Sequence, residues 1–270
     1  MPVSAGPRGA ADQPSLAGRV ALVTGASRGL GAAIALGLAA RGAAVAVNYH
    51  ASRARAEEVV RAIEDEGGKA VALPADVADP DACAELVAGT IANLGGLDVL
   101  VNNAGITKDS LIYQQEPADW LAVMRVNFGG VVNCTRAAMG TMLRQRSGSI
   151  VNISSVMGIR GWVGESPYAA SKAAINAFTR CTAVEAARFG VRANAVLPGF
   201  AATDLVAGLT TKNGGRGILR QIPAKSFAGP EDVANVVAFL AGPGAAYMTG
   251  SLVTVDGGAS AVLGVGAPLG

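Results

Sequence analysis

Aromatic residues are scarce in this chain, histidine occurs once and cysteine three times, and neither sign of charge prevails: 22 lysines and arginines stand against 20 aspartates and glutamates in 270 residues. Each shortage excludes something. A net charge of +2 without a basic block gives no footing for nucleic acid or an anionic membrane surface. No uninterrupted apolar run reaches membrane-spanning length. Cys83, Cys134 and Cys181 are odd in number and lack metal-ligand spacing. They read as buried free thiols in a reducing compartment, and no metal site is expected. Residues 1–15 are small, polar and proline-containing, without the apolar core of a signal peptide. They are expected to form a flexible tail on a cytoplasmic protein.

What the chain does have is aliphatic: hydrophobic residues make up 51% of it, and 36 residues are glycine. That composition suits helices packed closely on a sheet, and the length allows a large core. Runs at Val20–Thr24, Ala44–Asn48, Ala70–Pro74, Val99–Asn102, Ser149–Ile153, Arg192–Leu197 and Leu252–Val255 read as strands. Several are apolar throughout, the pattern of strands covered on both faces of a parallel sheet. Helical patterns fall between them at Leu30–Arg41, Arg53–Glu66, Pro80–Leu94, Ala118–Arg144, Pro167–Phe189 and Pro230–Leu240. The alternation predicts an α/β fold, a doubly wound parallel sheet in one domain over 16–270. The irregular stretch 200–229, glycine-rich around 210–217, reads as a substrate lid beyond a strand's carboxyl end.

The first strand drops into Thr24-Gly25-Ala26-Ser27-Arg28-Gly29-Leu30-Gly31, and a helix follows at once. Glycines there let the backbone turn sharply and approach a ligand. The unpaired N–H groups and positive dipole end of the helix favour a pyrophosphate. Tyr168 and Lys172, four apart in a helical segment, share one helical face. Ser166-Pro167 before them reads as an N-cap and first helical residue. Ser155 follows a strand end, where it either donates a hydrogen bond to a carbonyl or satisfies a turn. Asn102-Asn103-Ala104-Gly105 either lines a groove or forms a plain turn. Asn127 lies inside a helical pattern despite poor helix propensity, which predicts a break in the helix that holds a water.

Taken in order, Thr24-Gly25-x-x-x-Gly29-x-Gly31, Asn102-Asn103-Ala104-Gly105, Asn127, Ser155, Tyr168-x-x-x-Lys172, Pro198-Gly199 and Thr249-Gly250-x-x-x-x-Val255-Asp256-Gly257-Gly258 resemble the short-chain dehydrogenase/reductase family. The likeness covers about Leu16 to Ala259. Within the family, Gly105–Asp109, Asn152–Gly158 and Asn194–Phe200 are most similar to bacterial 3-oxoacyl-[acyl-carrier-protein] reductases. The resemblance implies a Rossmann-type fold and a catalytic set of Asn127, Ser155, Tyr168 and Lys172. Hydride passes from a nicotinamide to a carbonyl carbon, and the protein manages placement and protons. Tyr168 would protonate the forming alkoxide, Ser155 polarise the substrate oxygen and Asn127 hold a relay water. Lys172 would hold the ribose and lower the Tyr168 pKa.

The same resemblance assigns cofactor contacts to Gly25, Ser27, Arg28, Gly29, Leu30, Gly31, Tyr49, Ser52, Arg53, Asp76, Val77, Asn103, Ala104, Gly105, Tyr168, Lys172, Pro198, Gly199 and Thr203. NAD-dependent members usually end the second strand in an acidic residue. Here that place holds Tyr49, with Arg28, Ser52 and Arg53 nearby, which implies NADPH. His50 reads as surface or ribose-side. The expected substrate is a 3-keto acyl thioester, on acyl carrier protein or on another carrier; Arg146 and Arg188 fall in helix-end segments similar to the reductases' docking surface, or are ordinary helix-terminal charges. A homotetramer is expected, with faces of Ala118–Arg144 and Pro167–Phe189 buried between subunits. Alternatives are a polyketide or general carbonyl reductase, an NAD-dependent alcohol dehydrogenase, and a sensor that has lost catalysis.

Overall fold

Seven runs of valine, alanine and leucine lie side by side as strands: β1 (Val20–Val23), β2 (Ala44–Tyr49), β3 (Ala70–Pro74), β4 (Val99–Asn102), β5 (Gly148–Ile153), β6 (Val191–Pro198) and β7 (Leu252–Val255). All pair in parallel, in the order β3-β2-β1-β4-β5-β6-β7. The computed structural model describes residues 16–201 and 215–262. The expected tail, most of the glycine-rich centre of the expected lid, and Thr203 lie outside the described residues.

Successive strand residues point to opposite faces, so a central strand needs apolar side chains throughout. In β1, Val20 and Leu22 enter one core, and Ala21 and Val23 enter the other. The helices α1 (Gly29–Ala39), α2 (Arg53–Asp65) and α8 (Pro230–Ala241) cover the Ala21 and Val23 face. The opposite face is covered by α3 (Pro80–Leu94), α5 (Gly130–Gln145) and α6 (Ser166–Ala186). The shorter α4 (Pro117–Met124) precedes α5, and α7 (Arg216–Leu219) precedes α8. This is the doubly wound sheet that the alternation predicts.

Helix ends show the local rules and their exceptions. Asp79 caps α3, its carboxylate accepting from the Asp81 and Ala82 amides with Pro80 at the first position. The expected Ser166 cap does not form. Glu165 is the N-cap of α6, and the Ser166 hydroxyl donates to Gln115 Oε1 at 2.9 Å. The expected single helix Ala118–Arg144 is interrupted by a π-helical turn, Arg125–Gly129, centred on Asn127. Cys83 and Cys134 are buried with their sulfurs 3.4 Å apart, whereas Cys181 is exposed, contrary to expectation. Among the described residues, no helix is long and apolar enough to cross a membrane.

Candidate active site

Strand order reverses between β1 and β4, and the carboxyl ends of the strands there form the crevice where open α/β sheets bind ligands. The turn after β1 is held from two sides. Asn48, buried at the end of β2, accepts from the Gly25 amide at 3.1 Å and donates to the carbonyls of Tyr49, Leu73 and Ala75. From β4, the Asn103 side chain donates to the carbonyls of Thr24 and Gly25 at 2.9 and 3.1 Å. The Thr24 hydroxyl accepts from the Asn103 and Ala104 amides. Gly25 has φ +60°, and a Cβ there would stand 2.9 Å from the Ala104 backbone. The turn is thus fixed before any ligand arrives, and α1 begins at its far side. Such a rigid, side-chain-free helix start fits a pyrophosphate.

The ribose end is partly as expected. Tyr49 closes β2 with no carboxylate in its place, and His50 is exposed. Ser27 and Leu30 are half-buried on either side of exposed Arg28, the N-cap of α1. Ser52 is the N-cap of α2. Arg53, by contrast, points its guanidinium at Glu57, with 2.7 Å between Nε and Oε1. Asp76 accepts from the Ala78 amide, and Val77 is buried with its carbonyl accepting from Asn133. Pro198 ends β6, and the Gly199 amide donates to the Val255 carbonyl. Gly105 follows β4 close to two of the catalytic candidates. A Cβ on it would lie 3.3 Å from Asn127 Oδ1 and 3.8 Å from Lys172 Nζ.

Those last contacts show the catalytic candidates converging. Lys172 Nζ donates to the Ile153 carbonyl at 2.8 Å and stands 5.3 Å from the centre of the Tyr168 ring. Ser154, one residue from Ser155, donates to the Lys172 carbonyl at 3.0 Å and ties α6 to the end of β5. The Ser155 side chain accepts from the Met157 amide at 3.1 Å and lies near enough to the Tyr168 phenol to favour its ionised form. Asn127 is fully buried. Its Oδ1 accepts from the Ile106 amide, and its Nδ2 donates to the Ile106 carbonyl and to Ser171 Oγ. Ser171 in turn donates to the Tyr168 carbonyl at 2.7 Å. The helix break predicted at Asn127 is present. It lets one side chain clamp the loop after β4 to the helix that carries Tyr168.

Burial sets the electrostatics. Desolvation pushes the Tyr168 phenol up to about 12, with Glu165 and Asp109 adding to the rise and Ser155 opposing it. Desolvation also lowers the Lys172 ammonium to about 8. The expected lowering of the tyrosine by the lysine does not appear: burial and the two acids raise the phenol, and only Ser155 opposes them. Glu165 was not singled out from the sequence. Its carboxyl is raised to about 7 by burial and by Asp109, and its Oε2 is buried without a hydrogen-bond partner among the described residues. Asn48 and Ser171 were likewise missed, since neither stands in a recognisable motif. Asn102 turns away from the crevice, donating to Thr135 and Asn152 in the interior.

Arg146 and Arg188 lie elsewhere. Both stand at or beyond helix C-termini, at the sheet edge opposite the crevice, and both guanidinium groups face the Phe189 ring. They do not border this subunit's own site, because each helix runs antiparallel to its preceding strand. A groove of about 820 Å³, lined by Arg19, Leu36, Ile63 and Lys69 among others, opens at that same far edge and includes no catalytic candidate.

A strand-turn-helix cradle, joined to a serine, a tyrosine and a lysine at one switch point, defines an oxidoreductase of the dinucleotide-binding class. Residues 25–260 match a family model described as enoyl-(acyl carrier protein) reductase. The chain is 47% identical to a 3-oxoacyl-[acyl-carrier-protein] reductase of Synechocystis sp., over 90% of this chain and 98% of the relative. It is 45% identical to the FabG reductase of the same description from Staphylococcus aureus, over 88% and 96%. Among solved structures, a putative short-chain alcohol dehydrogenase from Sinorhizobium meliloti superposes with a TM-score of 0.89 at 38% identity, covering 92% of this chain and 99% of that one. A gluconate 5-dehydrogenase from Burkholderia cenocepacia, solved with NADP and tartrate, gives 0.89 at 34% identity, covering 93% and 99%. The chain belongs to the short-chain dehydrogenase/reductase family, whose members use a nicotinamide cofactor.

Proposed function

We propose that the protein is an NADPH-dependent ketoreductase that converts the 3-keto group of an acyl thioester to the 3-hydroxy product. The observation that carries this reading is the meeting of Ser155, Tyr168, Lys172 and the Asn127 clamp at the sheet's switch point. The 3-oxoacyl reductases at 45–47% identity supply the substrate class.

Gly25, Ser27, Gly29, Leu30 and Gly31 would hold the pyrophosphate of the cofactor, and Asn103 through Gly105 would border it. Asp76 and Val77 would lie along the adenine, and Pro198 and Gly199 toward the nicotinamide. The absence of a carboxylate at Tyr49, with Arg28 at the start of α1 and Ser52 at the start of α2, favours the 2′-phosphate. A nicotinamide held there would supply hydride for the ketone carbon. Ser155 holds the ketone oxygen, and Tyr168 donates its phenolic proton to that oxygen as it becomes a hydroxyl. A phenol held near 12 stays protonated across neutral pH, which suits a donor in the reductive direction. Lys172 anchors the ribose and leads the replacement proton inward, with a water at the Asn127 break completing the relay.

The test is NADPH oxidation with acetoacetyl-carrier protein, acetoacetyl-CoA and a cyclic ketone under one set of conditions. Thioester reduction with the highest kcat/KM is the expected result. Reduction of the cyclic ketone alone overturns the thioester reading and leaves a general carbonyl reductase.

A further inference from the structure

One acidic side chain in the site has no part in the hydride or proton steps. Glu165 is the N-cap of α6, three residues before Tyr168, and residues three apart at a helix start lie on one face. Its Oε2 is shut off from solvent and makes no hydrogen bond among the described residues. A carboxylate oxygen buried without a partner is costly to retain, so its position calls for a reason beyond stability.

Among the described residues, no cation is paired with it. The loop after β4 packs against this segment, with the Ser110 amide donating to the Gly164 carbonyl at 3.0 Å, and it brings a second acid, Asp109. Lys108 on that loop is paired with Asp119 at 3.4 Å. Arg160, on the segment leading to α6, is spent on the carbonyls of Ser260 and Val262. In the first two turns of α6 the titratable groups are Tyr168 and, one turn further, Lys172, whose ammonium is tied to the Ile153 carbonyl. Among the described residues, the end of the site next to the catalytic phenol thus has an acid on each side, Glu165 and Asp109.

We propose that Glu165 is a specificity-determining residue, which sets the site to accept neutral 3-oxo esters and thioesters and to turn away the free 3-oxo acids. The inference rests on the ketoreductase reading above. In a 3-oxo acid the carboxylate carbon is two bonds from the ketone carbon. Glu165 is close enough to the Tyr168 phenol to raise it, so with the ketone oxygen on Ser155 and Tyr168 we place that carboxylate on the Glu165 side, where like charges repel. An ester or thioester at the same place carries no charge and meets no such barrier. Since burial places the Glu165 carboxyl near 7, the exclusion strengthens as pH rises from 6 to 8, while the 3-oxo acid stays ionised throughout.

The experiment compares methyl acetoacetate, an acetoacetyl thioester and acetoacetate as substrates with NADPH, in wild type and Glu165→Gln, at pH 6 and pH 8. The readout is the acid-to-ester ratio of kcat/KM, which cancels losses common to both substrates. Glu165→Gln is expected to raise that ratio tenfold or more at pH 8. Wild type is expected to show a lower ratio at pH 8 than at pH 6, and the variant a flat one. A ratio unchanged by the substitution, including no detectable acid reduction by either protein, overturns the inference while ester and thioester reduction sustain the functional reading. Reduction of neither neutral compound overturns both.

Discussion

At the scale of single residues, burial is what makes the crevice reactive. Tyr168→Phe removes one oxygen and keeps the ring, so the fold and the cofactor cradle should persist. Its kcat should fall by about two orders of magnitude or more, within the usual reach of general acid catalysis, while NADPH still binds by fluorescence titration. Turnover near that of wild type would remove Tyr168 as the donor. Lys172 gives a second prediction, in stability. Its ammonium is lowered from 10.5 to about 8, so between those values the unfolded chain holds a proton that the folded protein has released. Unfolding free energy therefore rises with pH through that window, by an amount on the order of 3 kcal/mol across it. The stabilisation is full above the unfolded value and is lost as pH falls through 8. Tyr168 acts in reverse: its value is raised from 10 to about 12, so stability falls with pH above 10. Urea unfolding of wild type and Lys172→Met at pH 7.5 and 10 separates the two, since the variant should lack the gain between them. An equal gain in the variant would show that the lysine is not the source.

At the scale of elements, each turn of the site is built by contacts from a different strand. The glycine turn after β1 owes its shape to Asn48 on β2 and Asn103 beyond β4, and it presents Arg28 at the start of α1. Arg28→Ala should weaken NADPH more than NADH, because only NADPH has a 2′-phosphate for a guanidinium to meet. Initial rates with each cofactor check this, and equal losses would count against the role. Strands and helices were legible in the sequence because apolar runs and helical periodicity repeat over many residues. The interruption at Asn127 was legible because asparagine is a poor residue inside a helix. What escaped was set by tertiary contact. Arg53 is the exception, since its partner Glu57 stands one turn on in the same helix. Ser166-Pro167 has the residue types of a cap, but Gln115 from a distant loop takes the hydroxyl. The reversal of the tyrosine shift was equally hidden, because the sequence places a lysine four residues away but says nothing of how far water is excluded from both.

At the scale of the whole molecule, the sheet divides the labour between its two edges and leaves apolar side chains on the outer helices. The carboxyl edge gathers the cradle, Ser155, Tyr168 and Lys172, while the opposite edge holds Arg146 and Arg188 around Phe189. Leu121 on α4 is 66% exposed and Val184 on α6 is 81% exposed, large apolar groups on the two helical segments expected to meet other subunits. Packing within one chain buries the inner faces of these helices but not these positions. We infer that both side chains are covered in a homotetramer, where each two-fold contact brings the same helix face together from two copies. Val184→Glu would place a carboxylate opposite its own symmetry mate in a dry interface, so the repulsion is felt in pairs. The variant should shift the assembly to dimers or monomers by light scattering. Its circular dichroism should stay that of the wild type, because Val184 touches solvent rather than core within the chain. A wild type that is monomeric at micromolar concentration, or a variant with undiminished mass, would show that these exposed groups serve no subunit contact.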